Sequence, residues 1–208
     1  MTEPFRTPYP GYDVLDKWDT LSWNDQTREV IAHRLTEVPP RRFFSPAEWV
    51  VLSALCDCVM PQHDRTAPVP IAPWIDAELL DKLGSGTRYA DAPEAGAAWK
   101  RGLAALDAEA QTRHGKKFAA LSSDGQAAIL KDVDAEKVSG EAWSGLPPKR
   151  FFRDLVLKAI VAIYYVHPDG QSEIGYGGPA SPRGYVRLEQ DRRDSWEAPR
   201  GSWTEEQA

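Results

Sequence analysis

The sequence predicts an all-α protein, a compact bundle of about five or six helices with extended, irregular arms at both ends. Apolar residues recur at helical spacing in several separate stretches, and those stretches open and close on capping and stop residues. No run alternates apolar and polar residues as a half-buried strand does. A chain of 208 residues is long enough to bury a substantial core.

The first 20 residues hold Pro4, Pro8, Pro10 and Gly11 among Phe5, Tyr9, Tyr12 and Trp18, without periodicity, and are expected to form an arm. A short helix follows over 24–35, with Val30, Ile31 and Leu35 on one face, and Pro39-Pro40 ends it. Ser45-Pro46-Ala47-Glu48 then combines an N-cap, a proline at the first helical position and a glutamate at the third, which is a capping box. Trp49, Leu52, Leu55 or Cys56, and Val59 form the inward stripe of that helix, which stops at Met60-Pro61.

A proline-rich connection, 61–73, leads to a helix marked by Trp74, Ile75, Leu79, Leu80 and Leu83 and ended by Gly84-Ser85-Gly86. The next runs over 93–113, with Ala98, Trp99, Gly102, Leu103 and Leu106 inward and His114-Gly115 as the stop. Ser122 or Ser123 caps a helix carrying Ala127, Leu130 and Val133. After a loop with Gly140, Gly145, Pro147 and Pro148, the last helix presents Phe152, Leu155, Val156, Ala159, Ile160 and Ile163. The expected segments are an arm with a short helix over 1–42, a helical core over 43–166, and a Gly/Pro/Arg/aromatic arm over 167–208.

Charge and hydropathy exclude several classes. A net charge of −6, with basic residues scattered apart from pairs such as Arg41-Arg42 and Arg192-Arg193, argues against nucleic-acid binding. No apolar run approaches the roughly 20 residues that cross a bilayer. Met1 to Pro10 has neither a basic start nor an apolar stretch, so no export signal is expected there. Arg41-Arg42-Phe43-Phe44 resembles a twin-arginine signal only superficially, because a capped, charged helix follows it.

Motifs for chemistry are few. Gly175-Tyr176-Gly177-Gly178-Pro179-Ala180 fits a loose GxGxxA pattern but lacks the flanking strand and helix of a dinucleotide fold. Cys56 and Cys58 stand about 200° apart on a helix, so they cannot bridge and are expected as small buried hydrophobes. Glu29 with His33, His63 with Asp64, and His167 with Asp169 each pair an imidazole with a carboxylate, but spacing fixes no third ligand. No catalytic, cofactor-binding or metal residue is assigned.

The aromatics carry more. Trp49, Trp74 and Trp99 fall within amphipathic helices and are expected in the core, whereas Trp18, Trp23, Trp196 and Trp203 lie outside them. Tyr176, Arg183, Tyr185, Arg187, Arg192, Arg193 and Trp196 crowd one Gly/Pro-rich segment, and arginine with large aromatics is the composition of binding hot spots. These seven residues are the candidate partner interface; the other reading is that they wrap their own domain.

Phe43-Phe44-Ser45-Pro46-Ala47-Glu48-Trp49, Val59-Met60-Pro61, Gly102 to Ala110, Lys117 to Ser122, and Phe151-Phe152 follow one another in an order that resembles the gluconate 2-dehydrogenase subunit 3 family, over about 43–185. The resemblance implies a small, cofactor-free helical subunit, known from bacteria, accompanying a large FAD-containing oxidoreductase of the glucose-methanol-choline type, often with a cytochrome c subunit as electron acceptor. Many members carry a twin-arginine signal that exports the large subunit, and this sequence departs from that pattern. The implied role is to bind and stabilise a dehydrogenase of alcohols, sugars or sugar acids, in the cytoplasm or, if exported with its partner, in the periplasm. Two other classes stay open: a stand-alone helical enzyme using His63 or His167, and a scaffold unrelated to redox chemistry.

Overall fold

The computed structural model describes residues 7–63, 65–81, 93–138, 140–177 and 196–198. The protein is all-α, with no strand among the described residues. It divides into two compact units: one comprises 38–163, and the other joins 1–37 with 164–208.

In the 38–163 unit, α2 (Pro46–Val59) begins at the capping box. Ser45 Oγ accepts from the Glu48 amide, and Glu48 returns the bond to the Ser45 amide at 2.8 Å. Val51, Leu52, Leu55 and Cys56 are buried along it, while Trp49 is half-buried, not fully in the core. Burial pushes the Cys56 thiol well up from its ordinary value, as expected for a cysteine acting as a small hydrophobe. Cys58 is only half-buried.

α3 (Ile71–Leu80) starts earlier than the predicted Trp74, because Pro73 lies in the first turn, where a missing N–H breaks no intrahelical bond. Ile71, Ala72 and Ile75 are buried, and Trp74 is half-buried rather than a core residue. Leu83 and the Gly84-Ser85-Gly86 stop lie outside the described residues. α4 (Ala95–His114) ends as predicted on Gly115, whose φ of 64° is the left-handed stop that favours glycine. All five of its expected inward residues are buried. α5 (Ser123–Asp134) is capped by Ser122 and buries Gln126, Ile129, Leu130 and Val133; Ala127 is half-buried.

In the last long helix the expected stripe holds at Val156, Ile160 and Ile163 and is misplaced at its start. α6 (Pro148–Arg150) passes into a π-helical stretch, Phe151–Leu157, and then into α7 (Lys158–Val166). A π turn bonds i to i+5, so residues five apart share a face. Phe151 and Val156 are therefore buried together, and Ile160 and Ile163 continue the line at ordinary spacing. The predicted stripe began at Phe152, which is half-buried.

Phe151 anchors the core. Gly102 on α4 faces its ring so closely that an added Cβ would lie 2.1 Å from Phe151 Cε2. A run of rings extends from it, Phe43, Phe44, Trp99, Phe151 and Trp143, each within 6.4 Å of the next and most edge to face. Each such pair adds about 1 kcal/mol beyond area burial.

Polar side chains on the helices and in the connections hold the turns between them. Asp107 Oδ1 accepts the Phe118 amide at 2.9 Å, and Gln126 Nε2 donates to the Phe118 carbonyl. Gln62 holds both backbone groups of Val69. Glu109 accepts from Trp143 Nε1 and pairs with Arg113, which also pairs with Asp132.

The strongest of these staples is Asp76. Fully buried on α3, its carboxylate accepts three consecutive backbone amides, Arg42 at 2.6 Å, Phe43 at 3.0 Å and Phe44 at 2.9 Å. Arg41 then donates to the Phe44 carbonyl, and Lys100 lies 4.5 Å from the Phe43 ring centroid. The Arg41-Arg42-Phe43-Phe44 stretch is thus a helix entry tied to the core. Replacing Asp76 by Ala removes the acceptor of all three amides and is expected to lower stability by about 3 kcal/mol, read as a lower urea midpoint at unchanged slope. An unchanged midpoint would contradict the assignment.

Candidate functional site

The unit of 1–37 and 164–208 brings together described residues from both ends of the chain. Near its start, Asp13 caps the 3-10 turn Val14–Lys17 by accepting the Leu15 amide. α1 (Asp25–Thr36) is capped by Asn24. Of the predicted inward face of α1 only Ile31 is buried, and Val30 and Leu35 are exposed. Ile31, Val14 and Trp23 form a small core, covered by Tyr12, Leu15 and Trp18. Trp18 meets Trp23 edge to face at 5.8 Å. Arg28 reaches back to the Trp18 carbonyl, and Arg34 to the Val166 carbonyl.

The stretch from His167 to Glu173, expected to be irregular, instead contains a helix, α8 (Pro168–Glu173). His167 Nδ1 accepts the Asp169 amide as the N-cap, and Pro168 occupies the first helical position. Gly170 sits on the preceding helix end, where an added Cβ would stand 2.3 Å from the Tyr164 carbonyl oxygen.

The two chain ends hold each other through hydrogen bonds across more than 150 residues of sequence. Ser172 Oγ accepts the Val14 amide at 3.0 Å, and Thr7 Oγ1 donates to the Glu173 carbonyl. The buried Lys17 ammonium donates to the Gly177 carbonyl. The Tyr9 ring packs on Gly175, whose φ is 63° and where an added Cβ would stand 2.7 Å from the ring, so no side chain fits. Tyr164 donates to the Glu173 carboxylate at 2.8 Å.

Two of the seven candidate interface residues are described: Tyr176 is exposed, and Trp196 is half-buried. Arg183, Tyr185, Arg187, Arg192 and Arg193 lie outside the described residues. Of the histidine pairs, His167 with Asp169 is helix-capping chemistry, and His33 Nδ1 lies 3.1 Å from the Glu37 carboxylate. His63 is exposed, and its neighbour Asp64 lies outside the described residues. Among the described residues no group of three or more His, Cys, Asp or Glu side chains could hold a metal ion, and no helix is long and apolar enough to cross a membrane.

The family model of gluconate 2-dehydrogenase subunit 3 matches residues 46–178, more than half of the chain. The chain belongs to the gluconate 2-dehydrogenase subunit 3 family. The match begins at the first residue of α2 and ends just past Tyr176, so it takes in the helical unit together with α8. No curated protein and no solved structure shows a significant match. Membership makes the chain a subunit type of a dehydrogenase complex, in which the question is what its surfaces bind.

The sequence reasoning missed the mutual packing of the arms. One signal was present: His167-Pro168-Asp169 places proline at a first helical position with an acidic residue after it, which is a helix start.

Tyr12 offers a probe of this unit. Burial first, then the nearby Asp13, Asp16 and Glu197 carboxylates, push its phenol from 10.0 up to about 12. Above pH 10 the unfolded chain releases this proton before the folded one, so stability is lost as pH rises from about 10 to 12. The Tyr12 hydroxyl has no hydrogen-bond partner among the described residues, so Tyr12→Phe is expected to cost little at pH 7 and to flatten that alkaline decline, measured as urea midpoint against pH. An identical decline in both proteins would contradict the assignment.

Proposed function

We propose that this protein is a non-catalytic small subunit that binds and stabilises a large FAD-dependent dehydrogenase of alcohols, sugars or sugar acids. The family match over 46–178 is the observation that carries the reading. The flavin belongs to the large subunit, which performs the oxidation, and a cytochrome c subunit can receive the electrons. A partner that binds only the folded large subunit shifts its folding equilibrium by mass action, which supports assembly and flavin retention. The compartment follows the large subunit: the cytoplasm, or the periplasm where that subunit brings an export signal.

The candidate contact is the segment holding Tyr176, Arg183, Tyr185, Arg187, Arg192, Arg193 and Trp196. Exposure of Tyr176 and the arginine-aromatic composition support it.

Affinity purification of the full chain from its own cells, with mass identification and an absorbance scan, tests the reading. A large flavoprotein in near-stoichiometric amount is expected, and a lone, colourless chain would overturn it. Substituting both Arg183 and Tyr185 by Ala is expected to weaken the complex at least about tenfold; unchanged affinity would remove them from the contact.

A further inference from the structure

The contacts between the chain ends fall in a pattern along 172–177. Ser172 Oγ accepts the Val14 amide, the Glu173 carbonyl accepts the Thr7 hydroxyl, the Tyr9 ring covers Gly175, and the buried Lys17 ammonium donates to the Gly177 carbonyl. The residues between, Ile174 and Tyr176, are 41% and 45% exposed. The stretch is held at every position except the two whose side chains reach solvent.

Its backbone closes α8 as a Schellman stop. The Tyr176 amide donates to the Gln171 carbonyl at 2.9 Å and the Gly175 amide to the Ser172 carbonyl at 3.2 Å, with Gly175 in the left-handed region at φ 63°. Tyr176 therefore stands between two glycines, the residue type that loses most conformational freedom on ordering. Tyr9 restrains one of them and Lys17 the other.

The restraining residues lie outside the matched stretch 46–178 and the restrained ones inside it. The shape of this end of the matched stretch thus depends on residues that the match does not include. An exposed tyrosine is a residue type of binding hot spots, and one already fixed in place spares a complex the cost of ordering it.

Resting on the subunit reading above, we propose that residues 7–17 form a strap that fixes 172–177 as a preformed hook and presents Tyr176 to the flavin-containing large subunit. Tyr9 and Lys17 are positioning residues that act through Tyr176, and neither needs to touch the partner. By linkage, engagement of Tyr176 tightens the strap in turn.

The test uses the full chain and the flavin-containing large subunit purified with it. Tyr176→Ala is expected to weaken binding at least about tenfold. Tyr9→Ala and Lys17→Met are each expected to weaken it about fivefold, whereas Tyr9→Phe, which keeps the ring on Gly175, stays within about twofold. In the Tyr176→Ala background, Tyr9→Ala is expected to add less than about twofold, because its effect runs through the missing side chain. A merely structural role would give the full loss in both backgrounds, and that result, or unchanged affinity in Tyr176→Ala, would overturn the proposal. Hydrogen exchange of the free chain supplies a reading without the partner: Tyr9→Ala is expected to speed exchange of the Gly175 and Tyr176 amides at least about tenfold, and Tyr9→Phe to leave it unchanged. Should Tyr9→Ala fail to fold, Lys17→Met takes its place in the cycle, and rapid exchange of the Tyr176 amide in the unmodified free chain overturns the proposal by itself. Absence of any complex with the unmodified chain would instead overturn the subunit reading.

Discussion

Backbone amides outside helices must still find acceptors once they are buried, and in this all-helical chain single polar side chains supply them. Asp76 gathers the amides of residues 42–44 and so fixes how the chain enters α2. Asp107 does the same for the turn at Phe118, Gln62 for Val69, and Ser172 for Val14. With no strand among the described residues to absorb these groups, side-chain acceptors hold the connections, and each is a point where one substitution weakens a segment.

The same constraint gives the two chain ends their structure. The N-terminal stretch before α1 bonds itself only in short turns, and the described part of the C-terminal stretch contains one short helix, α8. They complete each other's hydrogen bonding through Thr7, Val14, Lys17, Ser172, Glu173 and Gly177, around a small core of Val14, Trp23 and Ile31. So small a core stabilises little by itself, and the Tyr12 hydroxyl, Trp23 Nε1 and Gln171 Oε1 are buried in this unit without hydrogen-bond partners among the described residues, at a cost of about 1 to 3 kcal/mol each. A unit of this kind lies at the low-stability end of a molecule, from which binding elements are commonly drawn. The charge-neutral helical unit, by contrast, has edge-to-face rings in its core and a capped helix entry.

Much of the fold was legible because its signals are local. The Ser45 capping box, the Gly115 stop and the α4 face from Ala98 to Leu106 follow from propensity and period alone. In the last helix Val156, Ile160 and Ile163 were legible, but the start of the stripe, Phe151 and not Phe152, was not, because the π turn at Phe151–Leu157 adds one residue that a 3.6 period does not contain. Trp49 and Trp74 were expected in the core on the same periodicity and are half-buried, since helical spacing gives a face but not the depth of what covers it. The docking of Tyr9 on Gly175 could not be read at all, because contacts across so many residues leave no periodic trace. The candidate interface was legible as composition, arginine with aromatics, whereas the strap on either side of Tyr176 emerged only once the structure set residues 7–17 against 172–177.

The account's central claim is that the unit built from both chain ends, not the helical unit, engages the large subunit. Hydrogen exchange of the full chain, alone and in its complex, tests this most directly. The account predicts that new protection on complex formation falls on residues 7–17 and 164–177, with 38–163 little changed. Protection confined to 38–163 would contradict it.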